Sequence, residues 1–237
     1  MAVVPRQPRS PKTRGSSATI AAGRSATVRL LHSALRNGAS APLNGVFTVN
    51  ARCIEMLVNA ARDEQGSTFA LVANLRELFK SLDPAMRQRA ARCTVLLSDL
   101  ELGNPDWWHI AHNHPAQPIR TPSWRASFPR PSAIQLARAT LLLAWNSLQV
   151  EPTTAQVLLG IATPVAEVIV NLPFDEIDPI ARARFRHVGP RWDDRPAVWR
   201  QLLLAAQTGD EGLMTDFNQH ALQLLTGGFL PPADGSS

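Results

Sequence analysis

The chain has 237 residues, of which 45% are apolar, so it can bury one large hydrophobic core or two small ones. No apolar run reaches the length of a membrane-spanning helix and no secretory signal is recognisable, so we expect a cytoplasmic protein without a transmembrane segment. The formal net charge of +5 is unevenly distributed, because residues 1–54 carry eight basic side chains and no acid.

Residues 1–44 are predicted to be a disordered basic arm. They are rich in Arg, Ser and Pro and contain little that a core could bury. A basic arm of this kind attracts polyanions, either nucleic acid or an anionic membrane surface. Its composition also resembles that of an organelle transit peptide, so a targeting role stays an alternative.

Residues 45–98 are predicted to be an N-terminal helical subdomain, because apolar side chains recur there with helical spacing. Asp83 and Pro84 are typical of an N-cap followed by the first helical residue, and the helix that they begin is predicted to continue through residue 97. The stretch GVFTVN, residues 45–50, is the one candidate strand. Cys53 and Cys93 both fall in apolar patterns, which indicates buried thiols in a reducing compartment.

Residues 99–131 are rich in proline and show no clear period, which predicts a long connecting loop. This segment contains His109, His112 and His114 close to Asp106. Imidazole is a common metal ligand, so the three histidines are weak candidates for a metal site. Their spacing matches no known metal motif and only two of them could share a helix face, so we interpret them as surface histidines of a loop.

Residues 132–230 are predicted to form a C-terminal helical domain. Ser132 is the expected N-cap of a long apolar helix, Pro196 lies in the first turn of a later helix, and Gly227 and Gly228 end the last one. The predicted fold is therefore all-α and bundle-like, with about eight to ten helices in two helical subdomains.

The stretch AQVLLGIATPVAEVIVNL, residues 155–172, has the outline of a helix-turn-helix. Its second helix offers apolar residues for burial, and Glu167, its one charged residue, would repel phosphate. Asn171 is its one side chain suited to reading base edges. We therefore predict a packed pair of core helices rather than a recognition helix in a DNA groove.

Residues 136–203 resemble the D subunit of the flagellar master transcriptional activator (FlhD-type). The resemblance is carried by LARATLLLAW, AQVLLGI, VAEVIVNL, LPFDEI, RWDD and AVWRQLL, which follow one another as in that family. The family usually has a basic residue immediately before Leu-Gly-Ile, whereas this chain has Leu158 there, and the first 135 residues have no counterpart. The resemblance implies an all-helical, dimerising unit that binds DNA together with a partner subunit.

An arginine-rich segment follows. Arginine and aromatic residues alternate in it, a combination that suits phosphates and exposed bases. An exposed helix edge paired with upstream acids, or a protein interface, would have the same composition. The candidate nucleic-acid-binding residues are Arg182, Arg184, Arg186, Arg191, Trp192 and Arg195.

The sequence thus predicts a non-enzymatic bacterial transcriptional regulator that acts as a homodimer with DNA, with a partner regulator subunit, or with both. It predicts no cofactor, since glycine-rich phosphate loops and nucleophile motifs are absent from the sequence. A helical protein-interaction or scaffold protein that does not bind DNA is the alternative, and a metalloenzyme built on the histidines is a third hypothesis.

Overall fold

The computed structural model describes residues 41–63, 70–113, 119 and 128–227, and these residues form an all-α fold, as predicted. The described residues contain ten α-helices: α1 (Ala41–Arg62), α2 (Ala70–Lys80), α3 (Pro84–Ala91), α4 (Pro105–Asn113), α5 (Arg130–Val150), α6 (Pro152–Leu159), α7 (Thr163–Val170), α8 (Ile177–Arg184), α9 (Pro196–Thr208) and α10 (Glu211–Gly227). Two short strands, β1 (Ser98–Asp99) and β2 (Gly189–Pro190), pair antiparallel. Residues 1–40 of the predicted basic arm lie outside the described residues.

Helix α1 shows that the strand prediction for residues 45–50 was wrong. Val46, Val49, Asn50 and Cys53 are buried, and their spacing of three and four residues places them on one helix face. The β-branched and aromatic residues of GVFTVN have a strand propensity that tertiary packing overrides here. The first helix also begins at residue 41, before the predicted boundary at 45.

The predicted start of α3 is confirmed, but its predicted end is not. Asp83 Oδ1 accepts the Met86 N–H at 2.7 Å and Pro84 occupies the first turn, as expected of an N-cap. The helix ends at Ala91 rather than continuing through residue 97. Residues 93–97 leave the helix and run buried through the core.

Asn50 holds this buried, non-helical segment in place. Its side chain is fully buried, accepts the Leu97 N–H at 2.8 Å and donates to the Val95 carbonyl at 2.8 Å. Further along, the Leu96 N–H donates to Leu158 and the Ala162 N–H donates to Leu102. Because these bonds satisfy backbone groups that helix formation would otherwise satisfy, the segment can be buried without being helical.

The predicted loop at 99–131 contains helix α4, which is a second correction. The Asn104 side chain accepts the Trp107 N–H at 3.1 Å at the start of this helix, and Trp107, Trp108 and Ala111 are buried. Two adjacent tryptophans cover enough apolar area to fix a nine-residue helix against the core, although their surroundings in sequence show no helical period.

Helix α5 is the central element and packs against α1, α6, α7 and α8. It begins at Arg130, with Pro129 before it and no side-chain cap, so the predicted cap at Ser132 was wrong. A methyl group at Gly45 would overlap Leu143, so this glycine lets α1 approach α5 closely. Helices from both predicted subdomains share one hydrophobic core among the described residues.

The remaining helices follow the prediction more closely. Pro196 lies in the first turn of α9, and α10 ends at Gly227. Among the described helices, none is by itself both long and apolar enough to cross a membrane, and α6 and α7 meet that criterion only as a pair bent by 119°.

Candidate functional site

The structure separates the predicted nucleic-acid-binding residues into exposed and buried side chains. Arg182, Arg186 and Arg195 are exposed, and Trp192 is half-buried. Arg184 and Arg191 are buried, with only 5% and 8% of their surface accessible. A buried guanidinium cannot reach a phosphate, so these two arginines are corrected from candidate contacts to structural residues.

Arg191 joins three parts of the fold. Its backbone N–H donates to the Leu97 carbonyl at 2.7 Å, next to the β1–β2 pair. Its guanidinium Nη2 donates to the Leu159 carbonyl at 2.9 Å, at the end of α6, and lies 3.3 Å from Asp99 Oδ1. Its own carbonyl accepts the indole N–H of Trp199, on α9, at 2.7 Å. The side chain therefore stabilises the junction of β1, α6 and α9.

Gly160, which ends α6, lies directly against the guanidinium of the same arginine. Its φ of +61° lies in the left-handed region that favours glycine, and a Cβ at this position would overlap the Arg191 guanidinium. The Leu-Gly-Ile turn between α6 and α7 thus leaves space for a buried arginine. Sequence inspection cannot find this pair, because 30 residues of chain separate its members.

Arg184 is buried at the end of α8. Loss of solvent contact lowers the pKa of its guanidinium. Arginine is not deprotonated in proteins, so the side chain stays charged, and such a charge requires compensation inside the protein.

The exposed arginines belong to a larger group that α5 completes. The guanidinium carbons of Arg130 and Arg186 lie 5.4 Å and 5.7 Å from the centroid of the Phe185 ring. Arg138 of α5 and Arg182 of α8 both contact Asp178, at 3.5 Å and 2.7 Å. We call Arg130, Arg138, Arg182, Arg186 and Phe185 the arginine face.

The arginine face carries an excess of positive charge. Its four guanidinium groups share one carboxylate partner, Asp178, which contacts Arg138 and Arg182. The pKa of Asp178 is lowered first by its hydrogen bond to Arg182 and further by the charge of Arg138. Arginine forks beside an aromatic ring suit phosphate groups in geometry as well as in charge. Sequence reasoning missed Arg130 and Arg138, because they lie on α5 and α5 meets α8 only in the folded protein.

The other end of the arginine-rich segment is a tight turn. Trp192 has a φ of +56°, which is uncommon for a residue other than glycine, and its carbonyl accepts the Arg195 N–H at 2.9 Å. Arg195 itself lies 3.9 Å from the neighbouring Asp194, with both side chains largely exposed. Because that carboxylate offsets its charge, Arg195 is a weaker candidate for a phosphate contact than the arginine face.

The candidate metal ligands are not brought together in the described residues. His109 and His112 lie on α4 and are exposed, whereas His114 lies outside the described residues. No group of three His, Cys, Asp or Glu side chains in the described part of the chain is arranged to hold a metal ion. The interpretation of His109 and His112 as loop residues was nevertheless wrong, because both are helical.

Helices α6 and α7 have the packing predicted for a core pair. Val165, Ala166 and Ile169 of α7 are buried, and so are Ala155, Leu158 and Leu159 of α6. The Asn171 side chain donates to the Glu167 carbonyl at 2.7 Å, one turn back along its own helix. The apolar face of α7 is therefore buried, as the sequence predicts. At the C-terminal end of this helix, the Asn171 side chain is held by a local hydrogen bond.

Comparison with known proteins adds no identity to this geometry. No protein-family model, no curated protein and no solved structure matches the chain. The resemblance of residues 136–203 to the flagellar activator D subunit therefore stays a prediction.

Proposed function

We propose that this chain is a non-enzymatic helical regulator that binds nucleic acid through the arginine face and acts with a partner subunit. The observation that supports this function is the row of four exposed arginines along α5 and the segment 178–186, two of them beside Phe185 and two at Asp178. Phosphate backbones supply most of the affinity of a sequence-independent protein–DNA contact, and clustered guanidinium groups are their natural ligands. The basic residues of the N-terminal arm add positive charge to the same chain.

The test replaces three exposed arginines and leaves the buried ones intact. We expect the triple variant Arg130→Ala, Arg138→Ala and Arg186→Ala to bind duplex DNA more weakly than the unaltered chain. Each lost phosphate contact reduces the slope of log K against log salt by about 0.9 on B-form DNA, so the slope should fall by roughly two to three units. Gel-shift or anisotropy titrations over a salt series measure this slope.

The matched control removes the same charge elsewhere. Arg62, Arg92 and Arg200 are exposed and lie on α1, after α3 and on α9. Their triple replacement by alanine should change the slope by less than about one unit, because loss of net charge alone removes no specific phosphate contact. Equal losses in both variants, or no binding by the unaltered chain at low salt, would contradict the proposal.

A helical protein-interaction function without DNA is the second candidate. It is favoured by Phe174, which is 64% exposed although large aromatic side chains are usually buried in a monomer. Binding energy in protein interfaces concentrates in a few aromatic and arginine side chains, and the protein exposes both kinds in Phe174 and the arginine face.

A further inference from the structure

The face formed by α5 and the segment 174–186 changes character along its length. Phe185 lies beside the first residue of α5, Asp178 beside Arg138, and Phe174 beside Trp145, so the two segments run antiparallel. Arg130 and Trp145 are separated by about 22 Å at 1.5 Å per helical residue. The arginine face is at one end of this surface, and a different surface is at the other end.

An exposed aromatic pair forms the second surface. The rings of Trp145 and Phe174 meet edge to face, with centroids 5.7 Å apart, and Phe174 is 64% exposed. Val150, at the end of α5, is 61% exposed. Phe174 and Val150 are two of the four large apolar side chains that the described part of the chain exposes. The other two, Leu204 and Leu213, lie on α9 and α10.

Hydrogen bonds hold this aromatic pair in position. The Trp145 indole donates to the Leu172 carbonyl at 3.0 Å, and the Gln149 amide donates to the Val170 carbonyl at 2.9 Å. Both bonds join α5 to the chain immediately before Phe174. A ring that is already oriented loses little conformational freedom on binding, and that low cost favours recognition.

The charged residues nearest to Phe174 in the chain are acids. Between Arg138 and Arg182 the sequence contains five acids and no lysine or arginine. Asp178 is paired with the arginine face, and among the described residues no ion pair engages the other four: Glu151, Glu167, Asp175 and Glu176. Asp175 and Glu176 directly follow Phe174 and are exposed. We call Trp145, Phe174, Asp175 and Glu176 the aromatic–acidic end.

We propose that the aromatic–acidic end is a docking surface for a basic amphipathic helix of a partner protein. Apolar side chains of that helix pack on Phe174, while its lysines or arginines pair with Asp175 and Glu176 or stack on the Phe174 ring. Nucleic acid and anionic membranes are excluded as occupants, since the carboxylates of Asp175 and Glu176 repel phosphate. This inference names the partner class for the protein-interaction function and holds whether or not the arginine face binds DNA.

The binding test uses the full chain and a defined probe. The probe is a fluorescent 14-residue helical peptide of about two heptads, with leucine on one face and arginine on the other, and its analogue carries glutamate in place of arginine. We expect anisotropy titrations to give a micromolar Kd for the basic peptide and no saturation with the acidic one. Failure of the basic peptide to bind at up to about 1 mM, a Kd that corresponds to only weak association, would overturn the proposal.

Substitutions then locate the binding. Phe174→Ala should raise the Kd of the basic peptide at least about tenfold, as truncation of a central aromatic residue does in other interfaces. The double variant Asp175→Asn and Glu176→Gln should also bind the basic peptide more weakly, and its binding should depend less on salt concentration. Leu213→Ala, another partly exposed apolar residue, and Glu211→Gln, an exposed acid on α10, are the matched controls and should leave binding unchanged.

Two further results would refute the proposal. One is equal binding of the basic peptide by the Phe174→Ala variant and by the unaltered chain. The other is a homodimer in sedimentation velocity that Phe174→Ala dissociates, because the occupant of the surface would then be a second copy of this chain. DNA binding by the arginine face is measured separately, so failure of one proposal is distinguishable from failure of the other.

Discussion

Replacement of Arg191 by methionine tests whether this residue is structural or a nucleic-acid contact. Methionine keeps much of the apolar volume of the side chain but removes the guanidinium. The variant loses the bond to the Leu159 carbonyl and the ion pair with Asp99. It leaves the Asp99 carboxylate, whose side chain is 22% exposed, without this cationic partner.

The expected cost follows from burial. Removing one partner of a buried ion pair destabilises a protein by about 3–5 kcal/mol, because the other charge stays buried without compensation. Water reaches part of Asp99, so the lower value of about 3 kcal/mol applies. At about 2–4 °C per kcal/mol for a domain of this size, Tm should fall by roughly 6–12 °C.

Arg182→Met is the matched control. It removes the same group from an ion pair with Asp178 in which the Arg182 side chain is 64% exposed. Exposed pairs contribute about 0–1 kcal/mol, so Tm should change little. Urea unfolding followed by circular dichroism gives both free energies, provided that the slope m is the same in each variant.

The reasoning fails if Arg191→Met unfolds at the same urea concentration as the unaltered chain. It fails equally if Arg191→Met keeps its stability and loses DNA affinity, since Arg191 would then be a binding residue that the folded protein exposes.

The remaining predictions concern glycine and cysteine. Gly160→Ala should destabilise the chain more than Gly209→Ala does. Both residues have a positive φ, but only at Gly160 would a Cβ overlap Arg191. Equal losses of Tm in thermal melts would contradict this. Burial raises the pKa of Cys53 to about 12 and that of Cys93 further still. Both thiols should therefore react with a maleimide only after unfolding in urea. Rapid labelling of the native chain would contradict this, because it would show that a thiol is accessible.

The sequence by itself determined the features that depend on neighbouring residues. The apolar period around α2 predicts one buried side formed by Leu71, Val72, Leu75, Leu78, Phe79 and Leu82. Five of these residues are buried and Leu78 is half-buried, because helical geometry places them together. Asp83 predicts the start of α3 because its side chain needs only the N–H group three residues later. The all-α fold and the packed face of α7 follow from the same local periodicity.

The arrangement of the candidate site depended on tertiary structure. Arg184 and Arg186 are equivalent in the sequence, yet one is buried at the end of α8 and the other lies beside Phe185 on the surface. The burial of Arg191 requires Asp99 and Leu159, which lie 92 and 32 residues away in the chain.

Residues 93–97 and helix α4 show the same limit. A run of apolar residues after α3 has no local reason to leave the helix, and it does so because the buried side chain of Asn50 satisfies its backbone. Helix α4 forms because Trp107 and Trp108 are buried, not because its sequence is periodic. Periodicity reports which side of a helix is apolar, but the hydrogen-bond partners and charges that decide the burial of a single polar residue come from distant parts of the chain.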